Sequence, residues 1–184
     1  MINETEARIT SQFLSLFLRH KPQIIELTLD EQGWVSVNKL VDKMNKNGFP
    51  ISPELLDYVV ANNDKQRFTF NEDRTKIRAA QGHSVDVNLN YNPIQPPTIL
   101  YHGTGKPSVP SILSKGIDKR TRLHVHLSHD KETATTVGSR HGQPYVFAVA
   151  AGQMHQDGHP FYLSDNQVWL TPHVPAQYIE LLEA

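Results

Sequence analysis

No cysteine occurs among the 184 residues, which removes disulfides, thiolate metal sites and a cysteine nucleophile together. No apolar run approaches the roughly 18 residues that a spanning helix needs. Charge of neither sign is in surplus, since 18 Lys and Arg face 19 Asp and Glu. Eleven cations stand against twelve anions before Pro96, and seven against seven from there on. Neither half is therefore a strongly basic module that grips nucleic acid by a general field, and any such ligand must be held by a few placed cations. Glu4 and Glu6 sit where an export signal would be basic and then apolar, so the expectation is a cytoplasmic protein with no membrane partner. What remains is 38% hydrophobic and 20% charged, too apolar for a disordered tail and long enough for one good core or two small ones.

Histidine is abundant and unevenly placed: His20 and His83 precede Pro96, and the other eight of ten follow it. The stretch from Ser84 to Pro97 mixes asparagine and proline without a sustained period and reads as a connector. The chain then divides into residues 1–83, a linker over 84–97 and residues 98–184. In the first part Ile9, Phe13, Leu14, Phe17 and Leu18 recur at helical spacing until Pro22 stops them just after Arg19-His20. Val37, Leu40, Val41 and Met44 predict a second helix closed by Gly48. Ser52-Pro53-Glu54 opens a third with a cap and a first-turn proline. Residues 67–70 and 75–78 around the turn Asn71–Arg74 predict a hairpin. Three helices followed by a two-stranded wing is the order of a winged helix.

The second part predicts strands at 99–101, 124–128 and 145–150, a short helix from Val109 closed by Gly116, and a helix capped by Asp130. Shorter strand-like pieces follow at 161–162, 168–170 and 178–182. The whole is an α+β chain.

Two phrases share a shape. His102-Gly103-Thr104 follows a strand and His126-Leu127-Ser128 ends one, each offering an imidazole and a hydroxyl. Such pairs suit ribose hydroxyls, phosphodiester chemistry or, with His124 and His129, a metal. The intervening Gly103 leaves room for a ligand to approach the backbone. No second cluster at ligand spacing accompanies these histidines and Asp130 serves as a helix cap, so no metal is expected. Gly103-Thr-Gly-Lys106 lacks the spacing and the following hydroxyl of a phosphate loop. Arg19, Arg67, Arg122 and Arg140 form the other set, because a planar fork donor recognises a phosphate without making either half basic.

The phrases Phe13–Pro22, Asp64–Phe68, Gln81-Gly-His-Ser84, Leu100–Thr104, His124–Ser128 and Ser139-Arg-His-Gly142 occur in one order. Together they resemble the KptA family of NAD-dependent RNA 2′-phosphotransferases over roughly residues 8–182. The resemblance implies an N-terminal winged-helix lobe and a C-terminal ADP-ribosyltransferase-like lobe of mixed α/β structure, with RNA and NAD meeting in the cleft between them. It places a catalytic tetrad on Arg19, His20, Arg67 and Arg122. It places NAD, as co-substrate, on His102, Gly103, Thr104, His126, Leu127 and Ser128, with Arg140 near the pyrophosphate. The late glutamate of many ADP-ribosyltransferases is replaced by Asn166-Gln-Val-Trp169. A phosphate monoester is already anionic and needs no base to attack.

The implied activity removes an internal 2′-phosphate from RNA. It proceeds through an ADP-ribosylated phosphate and yields nicotinamide, 2′-hydroxyl RNA and ADP-ribose 1″,2″-cyclic phosphate, with a side activity on phosphorylated ends. The expected assembly is a monomer. Two other readings fit parts of the sequence: an NAD-independent two-histidine RNA phosphoesterase and a non-enzymatic winged-helix regulator. The first leaves Arg19 and Arg67 without a role. The second is disfavoured by the balanced charge of the first part.

Overall fold

The computed structural model describes residues 2–182. The chain forms two compact units divided between Asn90 and Tyr91. Each is a mixture of short helices and small antiparallel sheets.

In the first unit, α1 (Glu4–Arg19) starts where Thr5 N–H donates to the Asn3 side chain at 2.8 Å, with Glu4 and Glu6 complementing the positive helix end. It buries Leu14, Phe17 and Leu18. The helix stops because Pro22 has no N–H to continue the ladder, and a 3-10 turn, Pro22–Ile25, carries the chain away. β1 (Val35–Ser36) leads directly into α2 (Val37–Lys46), and Ser52 caps α3 (Pro53–Ala61) by accepting Leu55 N–H at 3.1 Å. β2 (Phe68–Phe70) and β3 (Lys76–Ala79) form the predicted hairpin, and β1 adds to its other edge in the order β1-β3-β2. Leu14, Phe17, Leu18, Ile25, Leu40, Met44, Leu56 and Ile77 make the core. Burial of each such side chain stabilises by about 1.5–3 kcal/mol.

Residues 84–90 belong to this unit and are tied down although they form no regular element. Val87 and Leu89 are buried, and Asn88 N–H reaches the Glu31 carbonyl at 2.7 Å. The buried Arg78 donates to the carbonyls of Leu89 and Gln32 at 3.1 and 3.3 Å while its guanidinium lies 4.5 Å above the Trp34 ring. An asparagine-rich segment thus packs because two apolar side chains and one arginine hold it.

In the second unit the elements are β4 (Leu100–Gly105), α4 (Val109–Lys115), β5 (Ile117–Asp118), β6 (Val125–Leu127), α5 (Lys131–Gly138) and β7 (Pro144–Val149). α6 (Ala151–Gln156), β8 (Tyr162–Leu163), β9 (Trp169–Thr171), β10 (His173–Val174) and β11 (Ile179–Leu181) complete it. Among the described residues these strands make three sheets, ordered β11-β7-β4, β6-β9-β8 and β10-β5. Their inner faces enclose Leu100, Leu127, Phe147, Val149, Met154, Phe161 and Val174. Residues 91–97 belong here: Ile94 N–H donates to the Phe161 carbonyl at 2.9 Å, and Asp165 N–H to the Tyr91 hydroxyl at 3.2 Å. Among the described residues, no helix is long and apolar enough to cross a membrane.

β4 differs from the expected strand at 99–101, because it runs four residues further, through His102-Gly103-Thr104 to Gly105. Two glycines look like a strand ending, but each is required by packing. A Cβ on Gly103 would overlap the Ala134 carbonyl of α5, and one on Gly105 would press on the backbone of His141 at 2.6 Å. Strand pairing with β7 continues beneath them, Gly103 opposite Val146 and Gly105 opposite Pro144.

Candidate functional site

In the first unit the end of α1 presents Arg19, half-buried, and His20, exposed, in the cap position. The carbonyls of a last helical turn lack intrahelical partners. That of Arg19 is satisfied by a distant segment, accepting Ser84 N–H at 2.9 Å and Val85 N–H at 3.3 Å. The Ser84 hydroxyl also bonds His20 Nδ1 at 2.9 Å. Gly82, at φ +87°, lies against the Arg19 side chain, where a Cβ would come within 3.6 Å of Cζ and Nε. His83 between them is fully buried, and neither ring nitrogen has a hydrogen-bond partner among the described residues. Its pKa is pushed down to about 3, first by burial and then by the nearby Arg19, Arg78 and His20.

Arg67, half-buried, opens β2 after a tight turn in which Gln66 takes φ +42°. Asn63 organises that turn: its Oδ1 accepts Lys65 N–H at 3.2 Å and Arg67 N–H at 3.3 Å, while its Nδ2 donates to Ser11 Oγ on α1 at 3.0 Å. The helix that ends on Arg19-His20 therefore also anchors the turn that delivers Arg67. Sequence reasoning gave no role to Asn63, Gly82, His83 or Ser84. The visible signal was that three of them stand inside the phrase Gln81–Ser84 and the fourth immediately precedes Asp64–Phe68.

In the second unit the two histidine phrases are brought together. Tyr101 N–H donates to the Ser128 carbonyl and Ser128 N–H to that of Tyr101, both at 2.8 Å, joining β4 to the end of β6. His102 Nδ1 donates to the His126 carbonyl at 3.1 Å. Burial pushes the His102 imidazole below its ordinary pKa; the bond to His126 opposes this, and the Arg120 and Arg122 cations reinforce it. His102 is thus a neutral ring with its proton on Nδ1 and an acceptor lone pair on Nε2. Arg122 Nη1 donates to His126 Nδ1 at 3.2 Å. Thr104 is buried, Leu127 is in the core, and Ser128 is half-buried.

The room beside Gly103, expected to admit a ligand, is filled by α5. The ring of His124 packs on Tyr162 at 5.4 Å, and burial, then the Lys119 charge, lowers its pKa. His129 pairs with Asp130 at 3.0 Å. These two rings thus have partners of their own. Asp130 accepts Thr133 N–H at 2.6 Å as the cap of α5. Arg140 is exposed on the 3-10 turn Ser139–His141 that follows α5. The turn before β9 is closed by Ser164, whose hydroxyl donates to the Asn166 side chain at 2.5 Å and accepts Val168 N–H at 3.0 Å.

Residues 4–173 match the family described as RNA 2′-phosphotransferase, Tpt1 / KptA family. The chain is 55% identical over 179 residues to a protein of Flavobacterium johnsoniae, covering 97% of this chain and 98% of that one. It is 55% identical over 172 residues to a protein of Trichormus variabilis, covering 94% of each. With a protein of Rhodopirellula baltica it shares 53% over 171 residues, 92% of this chain and 93% of the relative. All three relatives bear the name "Probable RNA 2′-phosphotransferase".

Proposed function

The chain belongs to the RNA 2′-phosphotransferase, Tpt1 / KptA family, and we propose that it removes an internal 2′-phosphate from RNA by passing it to NAD. On this reading the first unit is a winged helix that holds the phosphorylated nucleotide, and the second is an ADP-ribosyltransferase-like lobe that holds the dinucleotide. The protein works in the cytoplasm as a monomer.

The observation that carries the NAD half is the junction of β4 with β6. It sets two imidazoles of opposite hydrogen-bonding sense beside two hydroxyl side chains: His102 accepts at Nε2, while His126, accepting from Arg122 at Nδ1, bears its proton on Nε2. A ribose diol donates and accepts at once, and this pair complements it. Thr104 and Ser128 supply further partners, and Arg140 a cation for the pyrophosphate.

In the first step an oxygen of the RNA 2′-phosphate attacks the anomeric carbon of the nicotinamide ribose. The glycosidic C–N bond breaks, and its electron pair neutralises the departing nicotinamide. The phosphate needs no base, which suits a site whose late stretch Asn166-Gln-Val-Trp169 has no carboxylate. In the second step the ribose 2″-hydroxyl gives up its proton as it attacks phosphorus, the bond to the RNA 2′-oxygen breaks, and that oxygen takes up a proton, so that none is gained or lost overall. The products are 2′-hydroxyl RNA and ADP-ribose 1″,2″-cyclic phosphate. Arg19, Arg67 and Arg122 stabilise charge on the transferring phosphoryl group, and His20 donates to it.

The test is an incubation of the purified protein with RNA bearing one internal 2′-phosphate, with and without NAD, following nicotinamide and the RNA product. Loss of phosphate only with NAD, with stoichiometric nicotinamide, is the expected result. Loss without NAD would point to a hydrolytic pair of histidines, and no loss in either arm would refute the activity.

A further inference from the structure

We infer that Ser84 is a positioning residue for His20, fixing the imidazole so that Nε2 is the nitrogen that bears the proton. The inference rests on the phosphotransferase reading for the choice of tautomer and its functional consequence, and on geometry for the contact that holds the ring.

Ser84 touches both members of the Arg19-His20 pair from far along the chain, 64 positions beyond His20. Its N–H closes the Arg19 carbonyl at 2.9 Å, and its hydroxyl meets His20 Nδ1 at 2.9 Å. The first contact fixes where the serine stands relative to the end of α1. The second fixes one edge of the imidazole. A cap residue with φ −126° and ψ −49° lies outside the regular helix, so the helix itself does not set the orientation of this ring. The buried His83 ring and the packing of Gly82 on Arg19 keep the segment in place.

The direction of the hydroxyl bond follows from what the ring must do. A phosphate dianion only accepts hydrogen bonds, so the nitrogen that faces it must carry a proton. In a neutral imidazole this puts the lone pair on Nδ1, where the Ser84 hydroxyl donates. Ser84 thus does for His20 what a second-shell partner does for a ligating histidine: it selects one of two tautomers.

The experiment compares Ser84→Ala and Ser84→Thr with the parent protein, with two independent readouts. Proton–nitrogen correlation spectra of the imidazole rings, with His20 assigned by loss of its signals in His20→Gln, report the tautomer without any substrate. Steady-state kinetics on 2′-phosphorylated RNA with NAD report function. The expected result is a single Nε2–H form in the parent, a tautomer mixture in Ser84→Ala with kcat lowered by about tenfold or more and the KM for NAD unchanged, and recovery of both in Ser84→Thr. An unchanged His20 spectrum in Ser84→Ala, or an altered spectrum with unchanged kcat, would overturn the assignment. If the parent protein shows no NAD-dependent turnover while the spectrum shifts as described, the phosphotransferase reading fails and the positioning of His20 by Ser84 stands.

Discussion

The guanidinium of Arg122 donates to Nδ1 of His126 across 3.2 Å, and this contact reaches back four residues along the chain. Arginine has donors only, so the imidazole must accept there and hold its proton on Nε2. His102, one strand away, has the reverse arrangement, with Nδ1–H bound to the His126 carbonyl. A residue assigned to the transferring phosphate thus also sets the tautomer of a residue assigned to NAD. Lysine would keep the charge but present a rotating point donor in place of a planar fork. Arg122→Lys is therefore expected to lower kcat and raise the KM for NAD together, whereas a pure phosphate contact would leave the KM for NAD untouched.

Arg67 is held by its backbone, through Asn63, and its side chain is half-buried without an ion pair among the described residues. Arg67→Ala should lower turnover on 2′-phosphorylated RNA by about 10²–10³-fold, as expected for removal of one preorganised charge-stabilising group. The melting temperature should move by no more than a few degrees. Wild-type turnover in this variant would remove Arg67 from the catalytic set.

Thr104 and Ser128 flank the β4–β6 junction. Thr104→Val keeps the shape of a buried side chain and deletes its hydroxyl; Ser128→Ala does the same at a half-buried position. Each should raise the KM for NAD several-fold, on the order of one lost hydrogen bond of 0.5–1.5 kcal/mol, and leave the KM for RNA in place. A KM for NAD equal to that of the parent in both would take these hydroxyls out of the cofactor site.

Gly103 is a packing requirement in the structure and tests a different claim. A methyl group there would collide with the Ala134 carbonyl, and Gly138 in turn sits against the backbone of Thr104. Gly103→Ala should cost about 3 kcal/mol or more, read as a melting temperature lower by roughly 10 °C. An unchanged melting temperature would mean that α5 yields freely, and the room at Gly103 would then be open to a ligand after all.

Much of the local structure is legible in the residues because each boundary has a one-residue cause. Ser52-Pro53 starts α3, Gly116 ends α4 at φ +83°, and Asp130 caps α5. The pieces that escape notice are those made by tertiary pairing. β1 and β5 are two residues long and exist only through antiparallel partners, β3 and β10. α6 has neither a side-chain cap nor the length for a visible period. The glycines of β4 read as a break because the helix that presses on them comes from 30 residues further on. The candidate site divides the same way. Residue types that bear chemistry stand out in a sequence, whereas Asn63, Gly82 and Ser84 act by position and acquire meaning once α1 is seen to end against them.

His83 is fully buried, and its pKa is pushed from the ordinary 6.5 down to about 3. Between those values the unfolded chain binds a proton that the folded first unit refuses. This contribution to stability is therefore fully present above pH 6.5 and is lost progressively as pH falls toward 3. From pH 6.5 to 4.5 the loss is about 2–3 kcal/mol. In that window Asp73, whose pKa is lowered, is still largely ionised in both states, and Glu26, lowered by its Lys43 partner, contributes only toward the acid end. The buried His102 shifts in the same direction but lies in the second unit. The two tryptophans separate the two histidines, since Trp34 belongs to the first unit and Trp169 to the second. Urea melts followed by Trp34 emission in a Trp169→Phe background should show stability falling with pH in the parent. The dependence should be markedly shallower in His83→Gln, whatever its absolute stability. Parallel slopes in the two proteins would mean that His83 takes up its proton in the folded state, and that the segment holding Arg19 and His20 tolerates a buried charge.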